Sequence, residues 1–290
     1  MILYDTFVSP FIEFEFMRRA LVGTLALSFS AAPVGVFLLL RRMSLTGDCM
    51  AHAILPGAAI GYLFAGLSLT AMAIGGVVAG LAVAFGAGAV ARSTVLREDA
   101  TLAAFYLLSL AVGVTIVSVH GNSIDLLHVL FGSVLALDDD ALMLLASIST
   151  VTLVTLALVF RPLVMECVDP QFLRSVSRAG APVHFAFMGL VVINLVAGFQ
   201  ALGTLLAVGI MMLPAASARL WTTDLTMTIV IAVVVALLSG YSGLVVSYAY
   251  GIPSGPAIIM AAGVLYTVSL TFGRVSGLMW RLMPRRHLEA

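Results

Sequence analysis

The chain reads as an all-α, polytopic membrane helix bundle, and three observations carry that expectation. Of its 290 residues, 62% are hydrophobic and only 10% are charged, with a mean hydropathy of +1.16; a soluble domain is nearer half apolar and a quarter charged. The apolar residues recur in runs of about 17–25, the length that spans a bilayer as a helix. Polar and turn residues separate those runs. Lipid offers no partner to backbone N–H and C=O groups, so such runs are expected as helices packed together. A single transmembrane domain covering 1–290 is the expectation.

The elements follow in order. The N-terminus carries Asp5, Glu13 and Glu15 and does not read as a signal peptide; 7–16 reads as a partly apolar interfacial segment. Spans are expected at 20–40, ending at Arg41 and Arg42; at 48–67; and, after a turn at Ser68, at 69–91, ending in the polar stretch 92–99. The next covers 101–119. The run 126–137 is too short to cross and is set aside as an outer re-entrant or interfacial helix. Beyond Asp138, Asp139 and Asp140, apolar runs lie at 141–160, 183–199, 201–220, 225–248 and 257–272. The longest polar interruption is the loop at about 161–182. Nine runs lie outside 126–137, and about eight transmembrane helices are expected from them.

Orientation follows from the basic residues. All 14 are arginine, and there is no lysine. On these spans every arginine except Arg18 and Arg19 falls on one side, which the positive-inside bias makes cytoplasmic, with the C-terminus inside. A Walker A loop needs its lysine to hold nucleotide phosphates, so any ATP hydrolysis must belong to another chain. Cys49 and Cys167 lie in different segments and imply no disulfide framework. Gly76 and Gly80, with Gly86 and Gly88, suit close helix approach in lipid.

Asp48 and His52 stand four residues apart and share one helix face, with Cys49 on its border. Ionisable groups inside a span usually face the bundle interior, a partner or a transported ion. A carboxylate with an imidazole suits a first-row divalent cation. The competing reading is local: Asp48 caps the helix and His52 bonds to it. Two ligands are too few for a closed structural zinc site, and an incomplete shell suits an ion in transit. His120 and His128 flank the outer short segment, Met211 and Met212 read as packing, and His184 and His287 are given no role.

In the loop, Asp169 suits an N-cap, Pro170 the first helical position and Gly180 a stop. Phe172, Leu173 and Val176 form an apolar stripe, and Arg174 and Arg178 pair at i, i+4. Such a helix lies on the bilayer, docks into a partner's groove, or merely connects two spans; its length and caps favour docking.

These segments, in this order, resemble the ABC-3 family of permeases, the membrane subunits of bacterial importers for zinc, manganese and chelated iron. The resemblance rests on the sequence from Phe16 to Leu21, from Arg41 through Asp48 and His52 to Gly57, from Leu130 to Leu135, from Val168 to Phe172 with Gly180, and from Gly203 through Leu213 to Ala216. Cys49 stands where the family is expected to carry a small residue such as alanine. The resemblance implies that Asp48 and His52, with Cys49 nearby, line the cation pathway. It makes the helix from about 170 to 179, with Asp169, Pro170, Phe172, Leu173, Arg174 and Gly180, the coupling helix. It implies a permease and not an enzyme, in the bacterial inner membrane, working as a homodimer with an ABC ATPase and a periplasmic or surface metal-binding protein. Zinc is the first expectation for the cargo, then manganese or iron, with no permanently bound cofactor and no nucleic-acid partner.

Two rival classes are weighed. An intramembrane protease lacks its motifs here, with no H-E-x-x-H and no G-x-S-x-G. A secondary carrier driven by an ion gradient often shows inverted repeats, and none is evident.

Overall fold

The computed structural model describes residues 7–66, 68–120, 137–177, 180–275 and 277–279. Twelve helices lie among them. α1 (Ser9–Glu13) precedes α2 (Glu15–Leu40); α3 (Thr46–Ala53) and α4 (Leu55–Ala65) follow, then α5 (Leu69–Ser93), α6 (Glu98–His120) and α7 (Asp139–Val168). After α8 (Pro170–Val176) come α9 (Gly180–Leu202), α10 (Thr204–Arg219), α11 (Leu225–Tyr250) and α12 (Ser254–Phe272). The expected segment 126–137 lies outside the described residues except for the buried Leu137.

Among the described residues, eight helices are long and apolar enough to cross a membrane, counting α3 with α4 as one. The run expected at 201–220 forms the shorter α10, of 16 residues. It nevertheless runs across the bundle: Met211 lies against Gly35 of α2, and the backbone N–H of Val275, just past α12, donates to Leu220 at its end. With α10 included, the described helices traverse the bundle an odd number of times. Arg41, Arg92 and Arg219 then gather at one end. Arg19 pairs with Asp139 at the other, 3.1 Å apart.

Helix limits follow local chemistry. Asp138 caps α7, its carboxylate accepting from Ala141 N at 2.9 Å, and Asp224 caps α11 through Met227 N at 2.8 Å. The expected stop at Phe160 is overrun, because α7 absorbs Pro162 and continues to Val168. Leu163 and Glu166 in that extension are buried, so packing outweighs the lost backbone bond. α11 ends at Gly251, whose φ of 64° is open to glycine at no steric cost.

α2 and α9 form the centre, with Leu27, Phe37, Phe187 and Leu195 fully buried, while Leu108, Leu158 and Val264 point outward. Apolar side chains both inside and outside are what a bundle in lipid requires. Polar side chains tie the interior: Asn194 Nδ2 donates to Thr152 Oγ1 at 2.7 Å, and Ser149 Oγ to the Ala26 carbonyl at 2.9 Å. Gly76 and Gly80 of α5 admit Ile54, Val192 and Val196, so this small-residue face packs within the chain.

Candidate cation site and its surroundings

The corner before Asp48 is built by α2's own ending. Met43 N donates to Leu38 O at 2.9 Å and Arg42 N to Leu39 O at 3.1 Å, with Arg42 at φ 59°. These are the paired bonds of a Schellman ending, here with arginine in the place usually given to glycine. The chain turns back into the bundle, where Gly47 sits against Met212.

The single span expected at 48–67 is interrupted at Ile54. Pro56 has no N–H, and its ring crowds the carbonyl one turn back, that of His52. Ser109 of α6 compensates next to the break, its hydroxyl donating to the Ala53 carbonyl at 2.9 Å. Gly113 lets α6 approach Pro56, and Gly57 lets α4 meet α5 at Gly75 with backbones in contact.

Asp48 and His52 project from one face of α3, with Asp48 Oδ1 3.9 Å from His52 Nε2. Their side chains are 68% and 44% exposed in the isolated chain. Asp48 stands inside the first turn while Leu45 is the N-cap, and no side chain caps the helix; the capping alternative therefore fails. Cys49 is half-buried and does not complete a cluster: among the described residues, no three His, Cys, Asp or Glu side chains gather in a way that could hold a metal. Consecutive helical residues point about 100° apart. The His52 ring lies 6.5 Å from that of Tyr106. Tyr106 is eight residues into α6, about 12 Å from its start at the helical rise per residue, so His52 lies about two helical turns in from the arginine-rich end of α6.

In the loop, Asp169 is the cap that the sequence suggests: its carboxylate accepts from Phe172 N at 2.9 Å. The apolar stripe divides, however. Leu173 is buried, whereas Phe172 and Val176 are 50% and 68% exposed. α8 stops at Val176, so Gly180 does not end it but opens α9. For Pro170 and Arg174 only the backbone, in α8, is described; Arg178 and His128 lie outside the described residues.

The sequence reading missed a buried charged cluster at the arginine-rich end. Arg41 Nη2 donates to His184 Nδ1 at 2.8 Å and lies 3.7 Å from Glu166 Oε1. Arg92 Nη2 is also 3.7 Å from that oxygen, and His184 Nε2 is 3.0 Å from Glu98 Oε1. Glu166 and His184 are 3% and 2% exposed. Each member closes or opens a span. That recurrence is the signal that could have drawn them together.

The sequence profile of the ABC 3 transport family matches residues 13–273, from before α2 to the end of α12. The chain belongs to the ABC 3 transport family. The manganese import system permease protein ScaB of Streptococcus parasanguinis is 30% identical over 263 residues, covering 91% of this chain and 92% of that one. The manganese transport system membrane protein MntC of Halalkalibacterium halodurans is 28% identical over 288 residues, 98% of this chain and 97% of that one. Among solved structures, PsaBC from Streptococcus pneumoniae in complex with Fab superposes with a TM-score of 0.81 at 27% identity, over 94% of this chain and 97% of that chain. The ABC 3 membership agrees with the multi-pass bundle, and the resemblance drawn from sequence is confirmed.

Proposed function

We propose that the chain is the permease subunit of an ATP-driven importer for divalent transition-metal ions, with Asp48 and His52 as ligands to the ion in passage. The observation that carries this reading is their shared, uncovered face on a helix interrupted in mid-bundle. Broken helices at the bilayer midplane are a recurrent way to build ion sites. A carboxylate and an imidazole offer the oxygen and nitrogen that manganese, zinc or ferrous iron accept. The names of the relatives favour manganese over the zinc that the sequence reading places first.

One chain brings two ligands, and both are open to solvent or lipid. A second permease copy over the α3 face would enclose them and supply an equivalent pair. The absence of lysine leaves hydrolysis to a separate ABC ATPase, for which the exposed Phe172 and Val176 of α8 form the docking face. A metal-binding protein would deliver the ion at the opposite end, across a bacterial inner membrane.

The test is metal uptake into proteoliposomes holding this chain, its ATPase and its binding protein, with manganese, zinc and iron in competition. ATP-dependent uptake with manganese preferred is expected. Uptake by this chain alone, driven by an ion gradient, would overturn the importer reading.

A further inference from the structure

Two atoms of the charged cluster, Arg41 Nη1 and Glu166 Oε2, are buried without a hydrogen-bond partner. His184 Nε2 faces Glu98 Oε1 at 3.0 Å. A guanidinium only donates, so His184 Nδ1 accepts from Arg41 and Nε2 carries the ring proton. Burying such groups half-satisfied costs stability, so the cluster is not explained as a stabilising device. Buried ionic groups are best attested as devices that fix a register or switch between two arrangements.

The distances leave a second arrangement within reach. Arg41 Nη2 bonds to His184, and Glu166 waits at 3.7 Å with its other oxygen unused. Closing that gap by about 1 Å would join carboxylate and guanidinium through two parallel bonds. Arg41 lies over the Phe187 ring at 5.3 Å and Arg92 over Phe185 at 5.4 Å. Arg41, Arg92 and Glu166 all line a cleft of about 750 Å³, which leaves room for the pair to rearrange. Glu166 stands in the last turn of α7, just before α8. Arg41 caps α2, and the Schellman corner passes its position directly to α3.

We infer that Glu166 is a positioning residue that carries movement of α8 to the Asp48–His52 helix, by exchanging its loose contact with Arg41 for a bidentate pair. This rests on the importer reading. When the ATPase shifts α8, Glu166 closes on Arg41, the Arg41–His184 bond is given up, and the corner turns α3.

The experiment uses the reconstituted complex of this chain, its ATPase and its binding protein, with Glu166→Gln, which keeps the shape and removes the charge. ATP hydrolysis should stay within about twofold of wild type while manganese moved per ATP falls about tenfold, a coupling of ordinary size. Vanadate trapping should change amide hydrogen exchange in both Pro170–Val176 and Thr46–Ala53 of the wild type, and only in the former in the variant. An unchanged transport-to-hydrolysis ratio, or an equal response in Thr46–Ala53, would overturn the inference. Should Glu166→Gln not assemble, Arg41→Lys, which keeps the charge but cannot form the bidentate pair, is read in the same way, and a wild type whose Thr46–Ala53 ignores trapping refutes the relay without any variant. A wild-type complex that moves no metal sinks the importer reading instead.

Discussion

Asp48 Oδ1 and His52 Nε2 are separated by 3.9 Å across one turn of α3, with Asp48 exposed and His52 half-exposed. That is too long for a hydrogen bond. It is short enough for one cation, which at about 2.1 Å from each ligand reaches pairs up to about 4.2 Å apart. Asp48→Asn should therefore lower uptake at limiting manganese by about tenfold or more, since a neutral amide is a poorer ligand than a carboxylate. Folded yield should hold, because no capping bond is lost. Transport per assembled complex, titrated with metal, checks it; near wild-type uptake would remove Asp48 from the pathway.

Ser109 acts through a single bond to the carbonyl beside the helix break. Ser109→Ala leaves that carbonyl unpaired inside the bundle and should cost about 0.5–1.7 kcal/mol, the range of interhelical hydrogen bonds in membranes. The expected results are a lower thermal midpoint and a raised KM for metal. Thr115→Ala, which loses only a bond to its own helix at Ala111, should change neither.

The two halves of the α8 stripe should separate on mutation. Leu173→Asp buries a charge among packed side chains and should lose folded protein. Phe172→Asp, on the exposed half, should leave the chain folded and inserted but lower ATP-driven uptake by about tenfold, as interface anchors do when truncated. Size-exclusion yield and uptake, measured together, distinguish the two. Normal uptake with Phe172→Asp would make α8 a plain connector.

Sidedness is checked with thiol probes in a variant lacking Cys49 and Cys167. An impermeant reagent applied outside should label Asp139→Cys and not Ser175→Cys. Labelling at Ser175 would invert the orientation read from the arginines.

Glycines in α4 and α12 make a paired test of close packing. A methyl group at Gly57 would collide with the Gly75 carbonyl, whereas Gly263 faces open space. Gly57→Ala should reduce folded protein severely. Gly263→Ala should be neutral, or stabilising by up to about 1 kcal/mol, through helix propensity. Thermal melts in detergent give both values.

The long apolar spans were legible because lipid selects length and hydropathy directly, and Asp48 with His52 stood out because charge is rare there. The cap at Asp169 was legible from local chemistry, whereas those at Asp138 and Asp224 emerged only with the structure. What resisted was tertiary. Pro162 reads as a stop, yet α7 continues because Leu163 and Glu166 find buried partners beyond it. The apolar stripe of α8 gives no sign that Leu173 packs inward while Phe172 does not. His184 and Glu166 looked like ordinary residues at the edges of a loop, and only the convergence of five distant helix ends makes them a cluster.

The 16 residues of α10 amount to about 24 Å of helix, short of a hydrocarbon layer about 30 Å thick. An isolated helix of that length would have to thin the bilayer around it. Half of α10 is buried within the bundle: Ile210, Met211, Ala215 and Ala218 are fully enclosed. Its hydrophobic mismatch is absorbed by α2, α11 and α12, so its entry into the membrane depends on theirs. During synthesis α10 emerges before α11 and α12 exist, which makes it the element whose insertion waits on the rest of the chain.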